Sequence, residues 1–260
     1  MKGNRQGTVR MQVVDRSGNE HDRNFPACSC DALYNDAIVP RKSVDLPEIP
    51  RCPVCEAPDC SAFMCVETRH YWRCNRCVAT FLSPSQLPAR SEEYAQYRLH
   101  RNDVSDENYR GFLSRLAAPL LARLPAGVSG LDYGCGPGPA LAAMLAEAGH
   151  PMAVFDPLFF DDTRVLDSRY DFITCTEVVE HFHHPADEFS RLNRMLKPGG
   201  WLAIMTRFQN DDAAFSRWHY RRDPTHVVFY RAATFQVIAK RHNWQCDFPC
   251  SNVVLLRKSA

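Results

Sequence analysis

The chain has 260 residues, 45% of them hydrophobic and 23% charged, with a formal net charge of +1. That composition is a folded globular protein's and excludes a disordered or coiled-coil chain, while the balanced charge exerts no global pull toward nucleic acid or an anionic membrane. No run approaches the roughly 18–20 apolar residues that cross a bilayer, and the opening MKGNRQGTVRMQVVDRSG lacks the apolar core of a secretory signal.

Residues 1–49 hold seven basic and seven acidic side chains without sustained periodicity, and Pro40 and Pro47 break up their end. This stretch reads as a flexible extension, to which no function is assigned. Cys28 and Cys30 within it are too few to define a metal site. The remaining cysteines matter more by placement than by number. Cys52-x2-Cys55 and Cys74-x2-Cys77 stand eighteen residues apart, the spacing of a four-thiolate zinc ribbon over 50–83. Each CxxC turn aims two sulfurs at one tetrahedral ion, and the hairpin between them brings the second knuckle to face the first. Without an export signal, such pairs predict metal ligands in a reducing compartment, the cytoplasm. Cys60, Cys65 and His70 read as spare thiols and a surface imidazole. Arg51, Arg69, Arg73 and Arg76 oppose Glu56, Asp59 and Glu67; with four thiolates and one Zn²⁺ the module is near −1, a poor platform for a phosphate backbone.

Residues 84–125 form a helical linker or cap. Tyr109, Phe112, Leu113, Leu116 and Leu120 fall at three- and four-residue spacings, which predicts one apolar face on a helix running from Glu92 to Leu124. Pro119 is expected to bend or divide it, and Tyr94 and Tyr97 could cover a cleft.

From Gly127 onward strand-like and helix-like runs alternate, the signature of a parallel α/β sheet. Val128 to Tyr133 reads as a buried strand ending in Asp132-Tyr133-Gly134-Cys135-Gly136-Pro137-Gly138, followed by a helix over Pro139 to Ala148. Met152 to Phe155 is a second strand, closing on Asp156. A glycine-rich turn between strand and helix lets a ligand approach the backbone and the helix N-terminus. It departs from the dinucleotide fingerprint: the third glycine comes one place early, and Pro139 stands where Gly or Ala belongs.

At these residues the sequence resembles the class I S-adenosylmethionine-dependent methyltransferases. Their first motif, an acid followed by GxGxG, is matched by Asp132, Gly134, Gly136 and Gly138; their ribose-binding acid is matched by Asp156. Tyr170 to Glu177 is similar to their fourth strand, and Leu196 to Met205 to the turn into the fifth. Trp244 to Phe248 and Val253 to Lys258 complete the sheet as a terminal antiparallel pair. The resemblance, over residues 126–260, implies a Rossmann-like, mostly parallel α/β sheet with a terminal antiparallel strand. It implies S-adenosylmethionine as cofactor, with contacts from Asp132, Gly134, Cys135, Gly136, Gly138, Asp156, Pro157, Thr176 and Glu177. Only fourteen residues separate Asp156 from Asp171, so the family's third strand and its preceding helix are at most abbreviated, and its adenine-contacting acid has no clear counterpart. Methyl transfer needs alignment, exclusion of water and sometimes removal of a proton, but no covalent nucleophile. Cys135 and Cys175 are therefore packing residues.

Glu177-Val178-Val179-Glu180-His181 places two carboxylates and an imidazole within one helical turn. This ExxEH arrangement resembles the motif that holds a divalent ion near the acceptor oxygen in ubiquinone-type O-methyltransferases and small-RNA 2′-O-methyltransferases. By that resemblance Glu177, Glu180, His181 and the distal His226 form a second divalent site, for Mg²⁺ or another ion. Glu177, His181 and His226 are then the candidate catalytic residues, His226 also as a metal-free general base. The alternative is that Glu177 serves the cofactor while Glu180 and His181 only open a helical turn. His183 and His184 read as solvent-exposed.

Residues 126–190 carry a net −9 and residues 191–241 a net +7. Arg207, Arg217, Arg221 and Arg222 either attract an anionic acceptor or pair with the acidic half across the surface, and Phe208, Phe215, Trp218, His219 and Tyr220, interleaved with them, suit a flat or anionic acceptor and a packed lid equally. A small-molecule acceptor leads. RNA is the alternative, and a non-catalytic binding protein on the same fold a third; the intact Asp132, Gly134, Gly136 and Asp156 speak against the last. No membrane partner is predicted, and no oligomeric state is assigned.

Overall fold

The computed structural model describes residues 49–98 and 103–260, together with the backbone of 8–14 and 20–26. Strands β1 (Thr8–Val14) and β2 (Glu20–Pro26) pair antiparallel as a hairpin inside the stretch read as an extension. Cys28 and Cys30 lie outside the described residues.

The cysteine segment forms strands β3 (Cys60–Val66), β4 (Arg69–Cys74) and β5 (Thr80–Leu82). Two helices follow, α1 (Arg90–Tyr97) and α2 (Glu107–Leu121). The single helix expected over Glu92 to Leu124 is thus two, and Pro119 is not where they part. The break comes earlier because polar side chains offer the backbone another partner: Asp103 accepts from the Ser105 N–H (2.8 Å), and Asp106 caps α2 by accepting from the Asn108 N–H (2.8 Å). Pro119 sits inside the last turn of α2, where it removes one main-chain donor, and the helix ends two residues later at Leu121.

The α/β part follows in order: β6 (Gly130–Tyr133), α3 (Ala140–Glu147), β7 (Met152–Phe155), β8 (Tyr170–Thr176), α4 (Pro185–Met195) and β9 (Leu196–Met205). The chain then continues through β10 (Val228–Phe229), α5 (Ala232–His242), β11 (Trp244–Cys250) and β12 (Val253–Lys258). Six of these strands form one sheet in the order β11-β12-β9-β8-β6-β7. Pairs β6–β7, β6–β8 and β8–β9 are parallel, and β12 is antiparallel to both β9 and β11. Between Asp156 and β8 there is only a 3-10 turn, Thr163–Asp167, so the sheet ends at β7 as the short connection predicts.

Each face of the sheet is covered by helices, so consecutive residues of both strands are buried, Phe172 to Cys175 in β8 and Leu202 to Met205 in β9. Leu113, Leu116 and Leu120 of α2 and Leu141 and Leu145 of α3 pack with Phe172, Met205 and Leu255 on one face. On the other, Phe189 and Leu192 of α4 and Phe235 and Ile238 of α5 join Ile173, Ile204 and Leu256. That second cluster continues without a break into Cys52, Tyr71, Cys74, Cys77 and Phe81 of the cysteine segment. The continuity is also one of hydrogen bonding. The second sheet runs β10-β5-β4-β3, with Val228 opposite Phe81 and Phe229 opposite Thr80. The cysteine ribbon therefore takes its fourth strand from the α/β part of the chain. No described helix is long and apolar enough to cross a membrane.

Candidate active site

The C-terminal ends of β6, β7 and β8 open into one cavity of about 930 Å³, bounded above by α1 and α2 and on its far side by the segment after β9. Ligands of open parallel sheets bind at this edge.

On one side lies the glycine turn. Gly134 and Gly136 adopt left-handed φ values of 77° and 65°, a conformation that L-residues with a Cβ adopt at a cost. Gly134 is also sterically required, because a Cβ there would come within 2.6 Å of the Val178 side chain. Asp132 is buried beneath the turn, accepts from the Thr174 hydroxyl (2.7 Å), and is pushed up to about 6 chiefly by burial. Asp156 accepts from three main-chain N–H groups: Gly136 (3.0 Å), Leu158 (2.9 Å) and Phe159 (3.2 Å). These bonds fix its carboxylate at the rim. Asp132, Gly134, Cys135, Gly136, Asp156, Pro157, Thr176 and Glu177 all line the cavity, whereas Gly138 is buried behind it. The hydroxyl of Thr176 and Oε1 of Glu177 are buried without a protein partner. Polar atoms in that condition are costly unless a ligand satisfies them, and the cradle fits a nucleoside with hydroxyl and ammonium groups. Cys135 and Cys175 are buried, and burial pushes both thiols up, so neither is a thiolate.

On the other side lies the ExxEH segment, and its geometry departs from a helical face. Glu177 has a φ of 52°, and only Val179–His181 form a 3-10 turn. Glu177 stays next to Glu180 but is not one of the converging ligands. One ligand atom each of Glu180, His181 and His226 lie within 4.8 Å of one another; Glu177 is outside that trio. Glu180 is fully buried; the Tyr220 hydroxyl donates to its Oε1, and its Oε2 has no protein partner. Burial, and then the nearby Glu177, push Glu180 well above the usual carboxylate range, while burial pushes Glu177 up to about 7. Both histidines point Nδ1 at a main-chain carbonyl, His181 at Thr225 (3.0 Å) and His226 at Tyr220 (2.6 Å). A carbonyl only accepts, so each neutral ring carries its proton on Nδ1 and its lone pair on Nε2. Histidines that ligate metals are usually oriented in this way, by a carbonyl accepting from the other ring nitrogen. Two lone pairs and an orphaned buried carboxylate oxygen make a donor set that fits a divalent cation.

Helix α1 covers the cavity without a buried residue of its own. It is attached by Arg90 Nη2 donating to the Pro157 carbonyl (3.2 Å), by Glu93 Oε1 at 2.9 Å from His183 Nε2, and by the Tyr97 ring edge-on to His181 (centroids 5.2 Å). His183 is therefore a partly buried partner of the cap and not the solvent-exposed residue expected from sequence. Of the four arginines, only Arg207 lines the cavity; Arg221 is buried, with its guanidinium turned toward the Tyr71 hydroxyl. Phe215 belongs to the core, edge-on to Tyr71 (5.0 Å) and Phe229 (5.1 Å), and only His219 and Tyr220 of the aromatic insertion reach the cavity. Sequence reading missed Tyr220 as the donor to Glu180, since nothing in its spacing marks a contact between residues so far apart in the chain.

The sulfurs of Cys52, Cys55, Cys74 and Cys77 lie within 4.8 Å of one another, with Cys52–Cys77 and Cys55–Cys74 each at 3.5 Å. Thiolates 2.3 Å from one tetrahedral ion stand roughly 3.8 Å apart, so the cluster fits such an ion. The knuckles repeat each other. In each, the residue four after the first cysteine, Glu56 or Val78, has a positive φ and returns its N–H to that cysteine's carbonyl. Arg76 and Cys77 also donate main-chain N–H groups to Cys74 Sγ (3.4 Å each). Cys60, also buried, faces Cys74 across the β3–β4 ladder beside these four.

A family model described as the methyltransferase domain matches residues 105–247, more than half of the chain, so the chain belongs to that family. Its strand order and glycine turn are those of the class I S-adenosylmethionine-dependent methyltransferase fold. Among curated proteins it is similar to the ubiquinone biosynthesis O-methyltransferases of Leptothrix cholodnii (32% identical, covering 32% of this chain and 46% of the relative) and Proteus mirabilis (30%, covering 36% and 39%). The chain thus spans less than half the length of these relatives. Solved structures resembling it include an O-methyltransferase family protein from Burkholderia thailandensis (16% identical, TM-score 0.41, 57% of each chain). Another is magnesium protoporphyrin IX methyltransferase from Synechocystis PCC 6803 with bound S-adenosylmethionine (14%, TM-score 0.42, 66% of this chain and 92% of that one).

Proposed function

We propose that the protein transfers a methyl group from S-adenosylmethionine to a hydroxyl oxygen of a small metabolite, with a divalent ion at Glu180, His181 and His226 and a structural zinc at the four cysteines. The observation that carries this reading is that His181 and His226 line the same cavity as the glycine turn, with Glu180 buried behind them and within reach of both rings. The cofactor, when bound, supplies an electrophilic methyl, and the divalent ion supplies acidification of the acceptor hydroxyl. The protein's own residues do the rest. Asp156, held open by three N–H donors, receives the ribose hydroxyls; Thr176, Glu177 and Asp132 face the amino-acid end. Helix α1 and Tyr97 exclude water above His181, so the polar groups below act in a low-dielectric space. His226 would hold the ion through its Nε2 lone pair, and the proton of the acidified hydroxyl would leave to water; only without the ion would that lone pair serve as the general base. Glu177, outside the trio, serves the cofactor side. The names of the curated relatives support an oxygen acceptor, and the near-neutral ribbon supports a small molecule over RNA. The cytoplasm remains the proposed compartment.

The test is tritiated-methyl transfer by the zinc-loaded protein to cell extract split into small-metabolite, RNA and protein pools, with and without added Mg²⁺. Label in the small-metabolite pool that rises at least tenfold with Mg²⁺ supports the proposal. Label confined to RNA or protein would overturn the acceptor class, and Mg²⁺-independent label would overturn the role of the trio.

A further inference from the structure

The main chain of Val227 joins two parts of the molecule that the sequence keeps far apart. Its carbonyl accepts from the Leu82 N–H on ribbon strand β5 (2.8 Å), and its N–H donates to the carbonyl of Glu180 (2.9 Å). On one side of it stands His226; on the other, Val228 and Phe229 form β10 and pair with Phe81 and Thr80. Just upstream, Arg69 Nη2 of ribbon strand β4 donates to the Pro224 carbonyl (2.6 Å). The wall that carries Asp223 and His226 is thus backed by ribbon strands along its length.

Those strands depend on the knuckles. Strand β4 ends at Cys74, and Cys77 lies just before β5. Tyr71, Phe81 and Leu82 share the core of the α/β part, so the ion acts locally: the thiolates before β5 and at the end of β4 tie the ends of these two strands to one point. The cofactor side is built differently: β6, β7 and β8 are paired with one another, and α2 and α3 bury the face behind them.

We propose that the four-cysteine ribbon is the positioning scaffold of the acceptor wall: the metal-bound knuckles hold β4 and β5, which through Arg69 and Val227 set His226 beside Glu180 and His181. Arg69 is accordingly a positioning residue that acts through Pro224. Loss of the metal loosens the acceptor wall and leaves the cofactor side in place, so the knuckles form a switch on one half of the cavity. The effect on turnover rests on the transfer proposed above; the effect on the wall does not.

The experiment compares the full chain loaded with zinc and stripped of it by a chelator, reading amide hydrogen exchange over 223–229 and calorimetric affinity for S-adenosylmethionine. Metal removal is expected to speed exchange at 225–229 at least tenfold while affinity changes less than threefold. Unchanged exchange in protein shown to be zinc-free would overturn the proposal, as would affinity falling in parallel with protection. Because stripping can unfold more than the ribbon, Arg69→Ala and Arg69→Lys provide a second arm with all cysteines intact. Arg69→Ala should shift the His226 imidazole resonance and speed exchange at 225–229, at unchanged zinc content and cofactor affinity, and Arg69→Lys should restore part of both. An Arg69→Ala protein identical to wild type in resonance and exchange would overturn the proposal. Wild-type protein that labels no acceptor but shows the exchange response would contradict the transfer reading alone.

Discussion

The main-chain N–H of Glu177 donates to the carbonyl of Met205 at 2.8 Å, so the residue after β8 is still held against β9 while its own φ of 52° turns the chain away. A non-glycine residue in the left-handed region costs roughly 1–2 kcal/mol, and such strain collects at functional sites. Here it accompanies a carboxylate that lines the cavity next to Glu180, close enough for each to bear on the Tyr220 hydroxyl. Glu177→Gly should therefore be more stable than Glu177→Ala by about 1 kcal/mol, read from denaturant midpoints, although both lack the carboxylate. Equal midpoints would show that the turn stores no strain.

The paired carboxylates set a pH dependence. Burial raises Glu177 from its ordinary 4.5 to about 7 and raises Glu180 as well. Between those values the unfolded chain gives up a proton that the folded protein keeps. Stability from Glu177 is present below pH 4.5 and is lost as pH rises toward 7, by up to ~3 kcal/mol. A divalent ion favours the ionised forms and opposes that loss. For zinc-loaded protein, the difference in Tm between wild type and Glu177→Gln should fall from pH 5 to pH 8 without added Mg²⁺ and flatten with it. A difference that climbs with pH would contradict the buried, raised carboxylate.

At the knuckles, Cys52→Ser removes one of four converging thiolates. Zinc content should drop severalfold, and stability should fall by several kcal/mol, since metal binding and ribbon folding are one free energy. Elemental analysis and thermal unfolding read the two. Wild-type protein that is fully folded and metal-free would contradict the zinc assignment.

How much was legible beforehand follows from how local each signal is. The glycine turn, Asp156 and the CxxC pairs are short patterns whose chemistry needs fixed spacings, and the missing third strand is readable because fourteen residues cannot hold a helix and a strand. The ExxEH segment was misread as a helical face, because spacing alone does not reveal the positive φ at Glu177 that takes this residue out of the trio. For Arg221 and Phe215 composition leaves acceptor contact and packing equally open; their burial against Tyr71 decides for packing and depends on the ribbon folding back across the insertion. The strand shared between β5 and β10 is equally tertiary, because a two-residue strand has no periodicity to detect.

Gly134 offers a steric test of the cofactor cradle. Gly134→Ala puts a methyl group 2.6 Å from Val178 at a φ of 77°. The two costs together come to about 2–4 kcal/mol, and affinity for S-adenosylmethionine should weaken at least tenfold. Adding Val178→Ala should recover the steric part and leave the backbone part. A single variant with wild-type stability and affinity would show that the turn tolerates a side chain.

The central claim is that this cavity holds S-adenosylmethionine through Asp156, and calorimetric titration of the cofactor into wild type and Asp156→Ala measures it most directly. The account predicts saturable binding to the wild type and at least tenfold weaker binding to the variant, through loss of hydrogen bonds to an ionised acceptor of about 1.5–3 kcal/mol. No heat of binding in the wild type, or equal affinity in the two proteins, would contradict it.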